Sequence, residues 1–172
     1  MNKVKVLFVC LGNICRSPTA HGVFEGFVEQ QELADSIEVD SAGTGDWHIG
    51  HSPDSRSAAI AKQRGYDLSH LRARKVTTED FSNFDYVLAM DETNLSDLKA
   101  LCPSEFTGEL CLFLNFHPDQ SYCEVPDPYY GGEDGFDHVF DMVEVASQNL
   151  LEHIVSRHQL KAKTGRSEFV LI

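Results

Sequence analysis

Residues Cys10 to Ser17 read Cys-Leu-Gly-Asn-Ile-Cys-Arg-Ser, and Pro18 follows. A cysteine and an arginine separated by five residues suit chemistry on an oxyanion. A loop that enters a helix turns successive backbone N–H groups inward and forms an anion cradle. Gly12 lets such a loop curl closely. Arg16 offers a planar fork of donors for two oxygens of a phosphoryl group. In the same positive field Cys10 should ionise readily, and a thiolate centred in a phosphate cradle is a nucleophile aimed at phosphorus. Ser17 can hydrogen-bond the sulfur and steady it as a leaving group. Taken singly, Cys10 fits a buried cysteine and Arg16 a surface residue. Their joint spacing, directly after an apolar run, favours catalysis.

This chemistry needs a strand before the loop and a helix after it. Val4 to Val9 is apolar and β-branched, as in a strand buried on both faces. Ser17 is expected to cap a helix with Pro18 in its first turn. Ala20, Val23, Phe24, Phe27 and Val28 continue it as an amphipathic stripe. The alternation recurs. Strands are expected at Ile37 to Ser41, Asp85 to Met90 and Leu110 to Leu114. Helices are expected from Ser52-Pro53 to Arg64, from Asp91 to Leu101, and from Phe136 to Ile154. Such alternation implies parallel pairing and right-handed crossovers. The expected fold is α/β: a three-layer sandwich with a four-stranded parallel sheet and helices on both faces. Ligands in such sheets bind at the carboxyl ends of the strands, where Cys10 falls.

The chain has 172 residues, enough for a single domain over residues 1–160, with 161–172 as a flexible tail. Net charge is −13, which argues against a nucleic-acid surface and makes any anion site a local positive island. Nothing approaches a membrane span or a secretory leader, so the expected location is cytoplasmic. The cysteines number five, an odd count that speaks against a disulfide framework. His48 and His51 lack a third ligand nearby, so no metal and no cofactor are expected.

A leaving group needs a proton. Asp127, between Pro126 and Pro128, is the candidate general acid, although the same tripeptide is also good turn chemistry. Tyr129 and Tyr130 follow and would wall a flat phenyl ring.

The run Val6 to Pro18 resembles the signature of low-molecular-weight protein tyrosine phosphatases. The likeness extends over roughly residues 4 to 157, through Asp40-Ser41-Ala42-Gly43, Phe84 to Asp91 and Asp127-Pro128-Tyr129-Tyr130-Gly131. It implies a phosphocysteine intermediate on Cys10, no metal, phosphate binding by Leu11, Gly12, Asn13, Ile14, Cys15, Arg16 and Ser17, and Asp127 as the acid. The substrate would be a phosphotyrosine protein or an aryl phosphate, with inorganic phosphate as product and no nucleic acid or membrane as partner. The resemblance assigns Trp47 to the entrance, as in the eukaryotic-like branch. It assigns Ser41 and His70 as partners of a left-handed Asn13. It also implies redox regulation, Cys15 capturing an oxidised Cys10 as a disulfide. Two rivals remain. Arsenate reduction on the same fold would recruit Cys102 and Cys111. A non-catalytic phosphate-docking module would need no acid.

Overall fold

The computed structural model describes residues 3–128 and 134–161. Strand β1 (Val4–Cys10) is flanked by β2 (Ile37–Gly43) and β3 (Tyr86–Ala89), and β4 (Glu109–Leu112) lies outside β3. The order is β2-β1-β3-β4 and every pairing is parallel. The chain leaves β1 in one direction to reach β2 and returns across it to reach β3, so the carboxyl end of β1 is the switch point of the sheet.

Alternating residues of β1 supply two cores. Val4, Val6, Phe8 and Cys10 face helices α1 (Arg16–Gln30), α2 (Ser55–Gln63) and α5 (Gly135–His158). Leu7 and Val9 face the short helix α3 (Asp80–Asn83) and α4 (Glu92–Leu101). β1 is thus buried on both faces, which explains its unbroken apolar run. Phe8 anchors the first core, edge-on to Phe24 at 5.6 Å and to Phe113 at 5.1 Å. The three-layer α/β sandwich is as expected.

Several boundaries differ from the sequence reading. Ser17 is not the cap of α1. The helix begins at Arg16, Cys15 holds the cap position, and no side chain caps it, because the Ser17 hydroxyl is engaged within the loop. α2 starts at Ser55, not at Ser52-Pro53. Asp54 is its cap, accepting from the N–H groups of Arg56 and Ser57. The Asp54 N–H donates to Ile14 O at 2.7 Å, tying this helix start to the cysteine loop. Gly65 does end the helix region, with φ +91°. β2 continues to Gly43. β4 stops at Leu112, and the next residues form a 3₁₀ turn, Phe113–Phe116, that drops Phe113 and Leu114 into the first core. A short apolar run does not distinguish strand from buried turn. Helix α3 was missed because four residues carry no periodicity. Asp91 caps α4 as expected, accepting the Asn94 N–H at 2.8 Å. Residues 162–172, nearly all of the expected tail, lie outside the described residues. Among the described residues no helix is long and apolar enough to cross a membrane.

Candidate active site

The loop after β1 rests on the end of β2. The N–H groups of Thr44 and Gly45 donate to the carbonyls of Cys10 and Leu11, both at 2.9 Å. A methyl group on Gly43 would lie 2.7 Å from Leu11 O and 3.2 Å from Asn13 N. Glycine is required there by the closeness of two backbones, and neither can give way. Gly43→Ala should therefore lift the loop off the sheet. We expect inorganic phosphate to bind at least tenfold more weakly, measured by calorimetry; unchanged affinity would show that the loop does not depend on this contact.

Within the loop, Asn13 adopts φ +56°, a left-handed conformation that asparagine tolerates. Its N–H then donates to Cys10 Sγ at 3.3 Å. Ser17 Oγ lies 3.0 Å from the same sulfur and accepts from Asn13 Nδ2 at 2.8 Å. Ala42 O is 3.4 Å from that hydroxyl. Ser17 has one proton, so it can serve Ala42 O or the sulfur but not both. A thiolate at Cys10 draws that proton to itself, and the hydroxyl becomes a donor to the nucleophile.

Arg16 is almost wholly buried. Its Nη1 donates to Asp91 Oδ2 at 2.6 Å and to Val125 O at 3.2 Å. Burial works against the guanidinium charge. Negative charge at Cys10, Asp91 and Asp127 outweighs it and holds the pKa of Arg16 above its ordinary value. The sequence reading assigned Asp91 only a capping role, and one carboxylate does both tasks: Oδ1 caps α4 while Oδ2 orients Arg16. The clue was its place at the carboxyl end of a central strand.

Asp127 is half-buried, its charge acts on Arg16, and Val125 two residues before it is tied to the site. The Val125 N–H donates to Met90 O at 2.8 Å, and its carbonyl receives Arg16. Glu124 adds a tie, its Oε2 accepting the Glu92 N–H at 2.7 Å. Tyr129 and Tyr130 lie outside the described residues. Trp47 is 66% exposed, its ring laid over Gly45. His48 is a neighbour the sequence reading did not assign to the site: a methyl group on Gly12 would sit 3.0 Å from its Cδ2. Leu11 is exposed, Gly12 and Ile14 are partly buried, and Cys15 is buried.

Ser41 and His70 do not partner Asn13 as expected. The Asn13 amide is already engaged, donating to Ser17 and accepting from the Arg74 N–H at 3.0 Å. Ser41 Oγ instead bonds His21 Nδ1 at 2.9 Å. His21 Nε2 lies 3.5 Å from Glu25 Oε2, and His70 Nε2 lies 3.3 Å from Glu25 Oε1. The hydrogen bond from His21, with both imidazole charges, holds the Glu25 carboxyl below its usual range against the opposing effect of burial. His21 and Glu25 intervene between the two expected partners, and helix α1 supplies both.

The geometry defines an anion cradle at a sheet switch point, with a sulfur at its centre and an oriented arginine at its side. Proteins of known sequence and structure carry the same frame. Residues 5–163 match the family described as low molecular weight phosphotyrosine protein phosphatase. A protein of Schizosaccharomyces pombe with that name is 44% identical over 152 residues, covering 88% of this chain and 97% of the relative. A low molecular weight protein-tyrosine-phosphatase of Streptomyces coelicolor is 43% identical over 164 residues, covering 94% and 98%. The crystal structure of a protein tyrosine phosphatase from Entamoeba histolytica, with Hepes in its active site, superposes with a TM-score of 0.85 at 41% identity, covering 92% of this chain and all of that one. The chain belongs to the low molecular weight phosphotyrosine protein phosphatase family. A yeast and a bacterial relative match almost equally, so overall identity does not assign the eukaryotic-like branch suggested by Trp47.

Proposed function

We propose that the protein hydrolyses phosphotyrosine residues of proteins, and aryl phosphates, through a phosphocysteine intermediate on Cys10. The observation that carries this reading is the sulfur of Cys10, which accepts the Asn13 N–H and lies against the Ser17 hydroxyl at the mouth of a parallel sheet. Arg16, held by Asp91, binds two phosphoryl oxygens with the rest of its fork. The backbone N–H groups of Leu11 to Ser17 bind the others. The thiolate attacks phosphorus as the P–O bond to tyrosine breaks, and Asp127 gives its proton to the departing phenolate oxygen. Water then attacks the phosphocysteine, Asp127 takes a proton from it, the P–S bond breaks, and inorganic phosphate leaves. Ser17 donates to the departing sulfur. Trp47, with Tyr129 and Tyr130, walls the entrance against the phenyl ring.

The protein acts as a single domain over residues 1–160, in a cytoplasmic setting, with neither nucleic acid nor membrane as partner. The enzyme is under redox control: Cys15 captures a sulfenic acid on Cys10 as a disulfide before irreversible oxidation.

Arsenate reduction is disfavoured by its own relay. Cys111 lies in β4 against the core, and burial with the nearby Glu109 pushes its thiol up to about 11. Burial also raises Cys102. Neither is poised as a thiolate near neutral pH.

Rapid acid quench during turnover of an aryl phosphate tests the reading. A Cys10 peptide heavier by one phosphoryl group is expected. In parallel, Asp127→Asn should slow hydrolysis most for poor leaving groups, steepening the plot of log rate against leaving-group pKa. Absence of phosphocysteine would remove the nucleophile, and equal slopes would remove Asp127 as the acid.

A further inference from the structure

We propose that Arg74, clamped by Asp80 and Asp40, is a positioning residue that holds Asn13 in its left-handed conformation and thereby aims a backbone N–H at the Cys10 sulfur. This deepens the phosphatase reading and rests on it for the chemistry alone.

Asn13 makes three hydrogen bonds that fix the loop. Its N–H meets Cys10 Sγ and its Nδ2 meets Ser17 Oγ, both inside the loop. The third comes from outside, from the Arg74 N–H to Asn13 Oδ1 at 3.0 Å across 61 residues of sequence. Asn13 is 2% exposed, so bulk water offers no ready substitute for that donor.

The donor is itself held in place. The Arg74 carbonyl accepts the Gly43 N–H at 2.8 Å, Lys75 bridges to Gly43, and the Val76 N–H donates to Gly43 O at 2.8 Å. Residues 73–76 are therefore a strap along the end of β2. The Arg74 guanidinium fastens it. Nη1 and Nη2 donate to the two carboxylate oxygens of Asp80 at 3.1 and 3.0 Å, and Nε donates to Asp40 Oδ2 at 3.1 Å. Asp80 is 5% exposed and also accepts the Thr77 N–H at 2.8 Å. A two-pronged pair on a buried carboxylate fixes direction as well as distance. The same strap grips the entrance loop. The Ala73 N–H donates to His51 O at 2.9 Å, and the Gly50 N–H donates to Ala73 O at 2.8 Å. Cradle and entrance loop are thus set against each other by one segment, and Arg74 lies at its centre.

If the clamp loosens, Asn13 can relax to an ordinary backbone conformation and its N–H leaves the sulfur. Asp80→Asn should lower kcat/KM for an aryl phosphate about tenfold, the effect of one misaligned hydrogen bond to a charged group. Arg74→Lys, which keeps the backbone donor and a cation but not the fork, should fall between it and wild type. It carries the test if Asp80→Asn does not fold. The readout that a merely structural role would not move is the pH profile of Cys10 alkylation by iodoacetamide, followed by peptide mass spectrometry. Its midpoint should rise in the folded variants, since the thiolate has lost a donor. In an Asn13→Ala background, Asp80→Asn should add little further change to that midpoint. An unmoved midpoint in a folded variant, or shifts that add fully in the double variant, would overturn the proposal. The alkylation profile is read without turnover, so the clamp is tested even if wild type proves inactive on aryl phosphates. That inactivity would overturn the phosphatase reading instead.

Discussion

Cys10→Ser is expected to abolish turnover while leaving phosphate-ester binding nearly intact. A serine hydroxyl stays protonated where a thiolate would form, so the cradle would hold a substrate and no nucleophile. In the proposed mechanism the groups that bind phosphate are elsewhere, in the backbone N–H groups of the loop and the fork of Arg16, which donates to Asp91 and Val125 O. Activity should fall below about one part in a hundred. General acid–base assistance alone supplies on the order of 10²–10⁴, so a larger residue of activity would mean that Cys10 is not the attacking group. Calorimetry with a slowly hydrolysed aryl phosphonate measures the binding half of the expectation. Loss of binding along with turnover would make the thiolate part of the binding site.

Arg16→Lys should be nearly as damaging as Arg16→Ala, with kcat/KM reduced by on the order of 10²–10³, the loss seen when one donor to a developing oxyanion is removed. Two features make lysine a poor substitute. It is a point charge and cannot present two parallel N–H groups. The structure adds the second. In Arg16 one nitrogen is committed to Asp91 at 2.6 Å and to Val125 O at 3.2 Å, and the remaining donors are free to face the cradle. A single ammonium would be drawn to the half-buried Asp91 and lost to phosphate. Steady-state kinetics on one aryl phosphate decides. Near-normal kcat/KM in the lysine variant would refute the two-pronged role.

The strand, loop and helix around Cys10 were legible because their signals are local. An apolar β-branched run, a glycine-bearing loop and a helical stripe adjoin in the chain, and the sheet puts them together unchanged. What was misread has a common cause. Ser17 looks like a cap by position, yet its hydroxyl is spent on a sulfur seven residues back. Asp91 shows a capping role locally, but the partner of its second oxygen, Arg16, is 75 residues away and leaves no local signal. Asn13 has the left-handed geometry that the resemblance implies and asparagine tolerates. Its partner Arg74 was not found, because the bond goes to a backbone N–H, which no side-chain motif announces. His21 and Glu25 sit on the helix the sequence did predict, and only the crossing of α1 over β2 reveals what they touch.

The bond from Arg16 to Val125 O spans 109 residues. Loop closure of that length is among the last things a folding chain completes, because its entropy is lost before the contact repays it. The first βαβ unit can form while the chain is still short, but its arginine has no Asp91 and no Val125 to turn toward. Catalytic competence is therefore a late event in folding. During refolding from denaturant, helical content should return before the ability to cleave a phosphate ester.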